Sequence, residues 1–358
     1  MNIEPGNLLV MAGGTGGHVF PAMALAEAMQ ARGWHVEWLG TSRGIEAKAV
    51  PAKGIKLHTL DIAGVRGKSI LSMLSAPLKI LKSIYAVLSI LRELKPKVVV
   101  GLGGYAAGPG GIAAWVTRIP LVIHEQNARP GTTNKILARF AKKVVTGFPD
   151  VFKKGEFIGN PVREEILKVR NSREHLDNDQ TLRVLVLGGS LGALALNKAL
   201  PLAFKVLAKE IKLDIIHQTG EKHRQSTVST YQNFQLNAEV VPFLENIAEK
   251  LAWADLVVCR AGALTVAELS VIGCASILVP FPHAIDDHQT ANAEWLVNNG
   301  AAVLCQQADL CTEYLVEKIT YFYNNRSVLK NMEAKARELA KPNATLDFVA
   351  ACEEVANG

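Results

Sequence analysis

Leu8-Leu-Val-Met-Ala-Gly-Gly-Thr-Gly-Gly17 and Arg183-Val-Leu-Val-Leu-Gly-Gly-Ser-Leu-Gly192 are two copies of one pattern, an apolar run that ends in a glycine-rich turn. Each is followed by a helix-length segment, so each reads as strand, turn and helix. Outward from the first copy, the spacing predicts a helix over Pro21–Arg32 and a strand over His35–Leu39. Further strands are expected at Val98–Leu102, Leu121–His124 and Lys143–Thr146. Strands that alternate with helices predict parallel sheets with crossover helices. Because the pattern restarts at Arg183, the chain reads as α/β with two doubly wound, Rossmann-like halves facing a central cleft. Ligands of such halves sit at the carboxyl ends of the strands.

The chain's 358 residues are too many for one ordinary α/β core and suit two. Hydrophobic residues make up 49% and charged residues 20%, which excludes a disordered chain. The polar stretch from Arg163 to Gln180 reads as linker and domain boundary. The five cysteines form no CxxC pair and are odd in number, so we expect reduced thiols rather than a disulfide framework. The polar start Met1–Gly6 argues against a signal peptide, and no apolar run of about 18 residues is present to span a bilayer. The net charge of +6 admits nucleic acid, an anionic membrane or phosphorylated ligands as partners.

Glycine loops narrow the choice. Gly13-Gly-Thr-Gly-Gly-His18 lies at a strand-to-helix turn, where backbone amides and the helix dipole favour an anion. A dinucleotide site would place an acid at the end of the second strand, yet that strand ends Trp38-Leu-Gly-Thr41. A third glycine loop, Gly101-Leu-Gly-Gly-Tyr-Ala-Ala-Gly-Pro-Gly-Gly111, follows the strand at Val98. Three such loops suit a substrate with several phosphates, such as a nucleotide diphosphate together with a second pyrophosphate. In the second half, Leu256-Val-Val-Cys-Arg-Ala-Gly-Ala-Leu-Thr-Val-Ala-Glu268 reads as strand, turn and helix. Glu268 could accept two hydrogen bonds from vicinal ribose hydroxyls, or could simply serve the helix dipole. After the strand Ser276–Val279, the loop Pro280–Ala293 carries His283, Asp286, Asp287, His288 and Gln289. The four potential ligands match no metal-site spacing, whereas Gln289 could bind a sugar hydroxyl. Asp177-Asn-Asp179 lies in the charged linker and reads as solvated surface.

Between Gly64 and Lys97 there are seven basic residues and one acid, Glu93. Ile84, Leu88 and Leu91 recur at helical spacing and belong to a crossover helix that covers a sheet. Ile70, Met73, Leu74 and Ile80, with Lys79 and Lys82 beside them, suit an anionic bilayer surface instead. Nucleic acid is disfavoured by the 6% aromatic content.

Together these residues resemble the MurG family, UDP-N-acetylglucosamine transferases that convert lipid I to lipid II in peptidoglycan synthesis. The resemblance spans nearly the whole chain. It is carried by Gly13-Gly-Thr-Gly-Gly-His-Val-Phe-Pro21, Gly103-Gly-Tyr105, His124-Glu-Gln-Asn127, Gly159-Asn-Pro-Val-Arg163, Gly188-Gly-Ser-Leu-Gly-Ala193, Arg260-Ala-Gly-Ala-Leu-Thr-Val-Ala-Glu268 and Asp287-His-Gln289. Leu191 and Ala267 depart from the family pattern, which often has Gln and Ser there. The resemblance implies the GT-B fold and inverting transfer of GlcNAc from UDP-GlcNAc to the C4 hydroxyl of MurNAc in undecaprenyl-pyrophosphoryl-MurNAc-pentapeptide. It implies residues 1–162 as the acceptor- and membrane-binding domain and 163–342 as the UDP-sugar domain, with a terminal helix 343–358 packed back on the first. It implies donor contacts by Thr15, Gly16, Gly17, Asn127, Arg163, Ser190, Leu244, Ala263, Leu264, Thr265, Val266, Ala267, Glu268 and Gln289. Acceptor contacts fall to Gly14, Gly103, Gly104 and Tyr105. No cofactor or metal is implied, and the location is peripheral, on the cytoplasmic face of the inner membrane. His18 is the candidate base, or else a phosphate-binding residue of the helix start; His124 is second. A UDP-GlcNAc 2-epimerase and a non-catalytic nucleotide-sugar- or membrane-binding protein remain as alternatives.

Overall fold

The computed structural model describes residues 4–62, 76–170, 181–189 and 192–358. They divide into two compact units, Met1–Arg163 with Pro342–Gly358, and Glu164–Lys341. The first holds a parallel sheet of β1 (Asn7–Met11), β2 (His35–Thr41), β3 (Lys56–Leu60), β4 (Val98–Gly101), β5 (Leu121–Glu125), β6 (Lys143–Thr146) and β7 (Glu156–Phe157). Their spatial order is β3-β2-β1-β4-β5-β6-β7. Strand order therefore reverses between β1 and β4, whose carboxyl ends carry the first and third glycine loops.

Side-chain alternation explains why β1 reads as an unbroken apolar run. Leu8 and Val10 face the helices Gly16–Ala31 and Ala344–Asn357, in one cluster with Met29, Trp34 and Phe348. Leu9 and Met11 face the opposite layer, with Val87 and Leu91 from the helix Ala76–Leu94 and Ala113 from the helix Ala107–Val116. Both faces are covered, so both parities must be apolar. The terminal helix is fastened further by an Arg32–Glu353 ion pair at 2.9 Å and by Lys143 to Glu354.

The second unit repeats the plan with β8 (Thr181–Leu187), β9 (Lys212–Gln218), β10 (Glu239–Val241), β11 (Leu256–Cys259), β12 (Ser276–Leu278) and β13 (Ala302–Leu304), in the order β10-β9-β8-β11-β12-β13. Val184 and Val186 pack on Leu200 and Phe204 of the helix Leu194–Leu207 and on Leu315 and Phe322 of the helix Thr312–Asn324. Strand order reverses between β8 and β11, again placing two turns side by side.

Two local readings change. The first helix starts at Gly16, not at Pro21. Proline is common at a helix start, but here it sits within the second turn, where its missing N–H forgoes a single bond to Gly17. The polar stretch after Arg163 is not all linker. Glu164–Val169 is helical, and Ile166 is fully buried within the second unit. Asp177 and Asp179 lie outside the described residues.

Candidate active site

In the first unit, Thr15 occupies the N-cap with extended φ/ψ, and Gly16, Gly17 and His18 form the opening turn of the helix. The first amides of a helix have no partner within it, so this turn presents donors to an anion. Thr15 Oγ1 lies 3.3 Å from His18 Nδ1. The third loop closes directly on the first. A Cβ on Gly104, at φ +81°, would come within 2.5 Å of the Gly13 carbonyl oxygen. One on Gly103 would lie 3.0 Å from His18 Nε2. Only glycine fits that approach. Tyr105, next along, is exposed.

At the end of β5, buried Glu125 accepts hydrogen bonds from Asn127 N at 3.0 Å, Gly131 N at 3.0 Å and Asn134 Nδ2 at 2.9 Å. It orients the loop bearing Asn127 and reaches Asn134, whose amide lies 3.6 Å from the Cβ position of Gly103. Thus His18, the third loop and the loop bearing Asn127 meet at one end of the sheet. Arg163 is the last residue of this stretch of the unit.

His124 differs from its sequence reading. It is fully buried; its Nε2–H donates to Gly159 O at 3.1 Å, and its Nδ1 accepts from Gln126 Nε2 at 3.0 Å. Burial pushes its pKa down to about 4. A neutral imidazole with both nitrogens engaged inside the protein cannot reach an acceptor hydroxyl, so the geometry leaves His18 as the base candidate.

In the second unit, Gly192 has φ +77°, and a Cβ there would fall 2.0 Å from Thr219 O, so Gly192 lies against the residue that follows β9. Thr219 O also accepts from Asn197 Nδ2 at 3.0 Å. Asn197 Oδ1 in turn accepts from His217 Nε2 at 3.0 Å, and Tyr231 OH lies 2.9 Å from His217 Nδ1. Ser190 and Leu191 lie outside the described residues. The strand, turn and helix read from the sequence are present: the helix Ala263–Ile272 begins just past β11 with Gly262 as its cap, and Glu268 is in its second turn and 8% exposed. Leu264, Thr265 and Ala267 are half-buried, Ala263 and Val266 buried. Arg260 Nη1 donates to the carbonyls of Val279 and Pro280, at 3.1 and 3.0 Å, and its Nη2 to Gln307 Oε1 at 2.6 Å. Gln289 Oε1 accepts from Phe281 N at 2.9 Å. The Arg260 bonds tie the turn before the Glu268 helix to the residues just past β12, and the Gln289 bond ties the loop after β12 to the helix His288–Asn298. Leu244, following β10, is buried.

The basic apolar stretch is described in part. Ile70, Met73 and Leu74 lie outside the described residues. Ile80, read as part of a membrane patch, is half-buried. The outer face of the helix carries Leu78, Leu81 and Tyr85 at 72%, 62% and 73% exposure, with Lys79 and Lys82 exposed among them. On neighbouring helices Trp115, Val116 and Ile136 are also exposed, as is Phe140 in the turn after Thr132–Leu137, with the Trp115 and Phe140 ring centroids 4.9 Å apart. Among the described residues no helix is long and apolar enough to cross a membrane.

Two parallel α/β units, each with a glycine-rich turn where its strand order reverses, are those of the GT-B fold. The models of the glycosyltransferase family 28 N-terminal and C-terminal domains match residues 8–146 and 183–347. The chain belongs to this family and, within it, to the MurG group. An Azotobacter vinelandii protein named UDP-N-acetylglucosamine--N-acetylmuramyl-(pentapeptide) pyrophosphoryl-undecaprenol N-acetylglucosamine transferase is 50% identical over 355 residues, covering 98% of this chain and 99% of that protein. The crystal structure of Acinetobacter baumannii MurG matches with a TM-score of 0.86 at 43% identity, over 98% of this chain and 100% of that one. A Neisseria meningitidis UDP-GlcNAc 2-epimerase, solved with UDP-GlcNAc bound, matches with a TM-score of 0.68 at 13% identity, over 96% of this chain and 98% of that one. At that identity the likeness is one of fold alone.

Proposed function

We propose that this chain is an inverting glycosyltransferase that moves GlcNAc from UDP-GlcNAc to the C4 hydroxyl of MurNAc in lipid I, giving lipid II. The observation that carries the reading is 50% identity to a transferase of that name along 98% of the chain. The epimerase alternative rests on a fold match at 13% identity. In this reading the second unit holds UDP: Glu268 takes the ribose hydroxyls, and the first turn of its helix, with the second glycine loop, takes the diphosphate. Thr15, Gly16, Gly17, Asn127, Arg163, Ser190, Leu244, Ala263–Ala267 and Gln289 complete the donor set, while Gly14, Gly103, Gly104 and Tyr105 meet the acceptor.

His18 acts as base. With Nδ1–H donated to Thr15 Oγ1, Nε2 takes the proton of the acceptor hydroxyl. That oxygen bonds the anomeric carbon from the face opposite the departing UDP, and the configuration inverts. Helix-start and loop amides stabilise the charge that develops on the diphosphate. Gly103 keeps the space beside Nε2 open.

Exposed Leu78, Leu81, Tyr85 and Trp115, in a unit that also exposes Lys79, Lys82, Arg118 and Arg139, support docking on an anionic bilayer. In this reading the bilayer is the cell inner membrane, met at its cytoplasmic face. Assaying label from UDP-[14C]GlcNAc tests the reading. Label recovered in a lipid-linked disaccharide supports it. Label recovered in an epimerised UDP-sugar, or in no product, overturns it.

A further inference from the structure

We propose that Glu46 is a positioning residue for the first glycine loop, its buried carboxylate setting the loop's direction and, through Thr15, the orientation of His18. The inference rests on the reading of that loop as the place of chemistry. Glu46 opens the short helix that follows β2 and is fully buried. Its Oε2 accepts from Gly14 N at 3.0 Å. Its Oε1 accepts from Thr41 N at 3.0 Å and Thr41 Oγ1 at 2.7 Å. The end of β2 and the loop after β1 are thereby joined through one side chain. The fit is close on all sides, since a Cβ on Gly13 would sit 2.5 Å from Oε1 and one on Gly44 2.0 Å from Oε2.

A negative charge beneath an anion-binding turn weakens that turn's attraction for phosphate, so its presence calls for a compensating role. Burial raises the Glu46 pKa, but bonds from Thr41, its own backbone N–H and Gly14 outweigh burial and hold the group below the usual carboxylate range. It therefore stays an acceptor at neutral pH. The Gly14 amide, tied to Oε2, is turned inward, and the next residue, Thr15, is left as the N-cap with its hydroxyl at His18. Glutamine at this position keeps the volume and can still accept from Thr41. Its NH2 would face the Gly14 N–H, donor against donor, and only the loop bond would be lost.

The test compares Glu46→Gln, Glu46→Asp and His18→Ala with wild type, measuring kcat, acceptor KM, UDP affinity and thermal midpoint. The expected result for Glu46→Gln is a 10- to 100-fold loss of kcat, on the order of a misplaced catalytic group, with UDP affinity within twofold. Glu46→Asp, which retains the carboxylate, should keep more activity than Glu46→Gln. If folded Glu46→Gln matches wild type within twofold in kcat and acceptor KM while His18→Ala is impaired, Glu46 does not position the loop and the loop's own role stands. If His18→Ala is also silent, both ideas fall. Should Glu46→Gln not fold, Glu46→Asp decides, because a side chain one methylene shorter cannot span Gly14 N and Thr41 together: wild-type kcat per folded molecule overturns the proposal, and reduced kcat at unchanged UDP affinity supports it.

Discussion

The imidazole of His124 stacks on the ring of Phe348, with centroids 4.9 Å apart and planes inclined by 27°. His124 is the penultimate residue of β5, and Phe348 comes from the terminal helix, so the contact joins the end of the chain to the strand that leads to Asn127. The fully buried Phe348 is part of the core beneath β1. The terminal helix is therefore structural in origin, but it also supports the floor of the candidate site.

Stability should fall on mild acidification. Burial holds His124 at a pKa of about 4 and His217 at about 3, against 6.5 in an unfolded chain. Above pH 6.5 both are neutral in either state and cost nothing. As pH falls below 6.5 the unfolded chain binds protons that the native state refuses, and the loss continues until the folded pKa is reached. At about 1.4 kcal/mol per pH unit, His124 alone accounts for about 3 kcal/mol between pH 6.5 and 4. Urea unfolding of wild type and His124→Asn at pH 7 and 5 checks this. The variant should be less stable at pH 7 but lose less on acidification. Equal losses in the two proteins would sink the assignment.

Glu268→Ala should weaken UDP binding by about 1.5–3 kcal/mol, the scale of a hydrogen bond to a charged group. The motivation is a buried carboxylate in the second turn of a helix that starts at a strand end. Calorimetry on folded protein decides it, and unchanged affinity would remove Glu268 from the donor site.

His18→Ala should lower kcat by about 10²–10⁴, the usual contribution of a general base, with UDP affinity little changed. Thr15→Val, which removes the partner of Nδ1, should produce a smaller loss of kcat. A rise confined to KM for donor or acceptor would make His18 a binding residue.

The glycine loops are legible because strand, turn and helix are contiguous in sequence. Glu46 is not, since its meaning depends on a return to Gly14, 32 residues away. The burial of His124 depends on Phe348 at the far end of the chain, so local spacing reads it only as a strand-end histidine. Glu125 lies inside a quoted motif, but its role appears only when Gly131 and Asn134 fold back onto it. The helix Ala76–Leu94 illustrates a different limit. Its apolar face is wide, so periodicity shows which side meets the core but not where the covered part of that face stops. Val87 and Leu91 face the core, and the outer face falls to Leu78, Leu81 and Tyr85 rather than to Ile80.

That outer face supplies the membrane prediction. Leu78, Leu81 and Tyr85 recur at i, i+3 and i+7, so they form one stripe, and each is more than 60% exposed. A stripe needed for the core would not be left in water. Trp115, in the helix Ala107–Val116, and Phe140, in the turn after the helix Thr132–Leu137, place tilted rings side by side in the same unit and add aromatic area of the kind found at bilayer interfaces. Lys79 and Lys82 stand among the apolar positions, and each cation near an anionic surface contributes about 1 kcal/mol. The two contributions can be separated. Leu78→Ser/Leu81→Ser should reduce co-sedimentation with anionic liposomes at all salt concentrations, because it removes buried apolar area. Lys79→Glu/Lys82→Glu should reduce it most at low salt, where screening is weakest. Neither pair should alter UDP affinity, since both lie in the first unit and donor binding is assigned mainly to the second. If both folded variants sediment like wild type, this face is not the membrane contact, and its exposure needs another explanation.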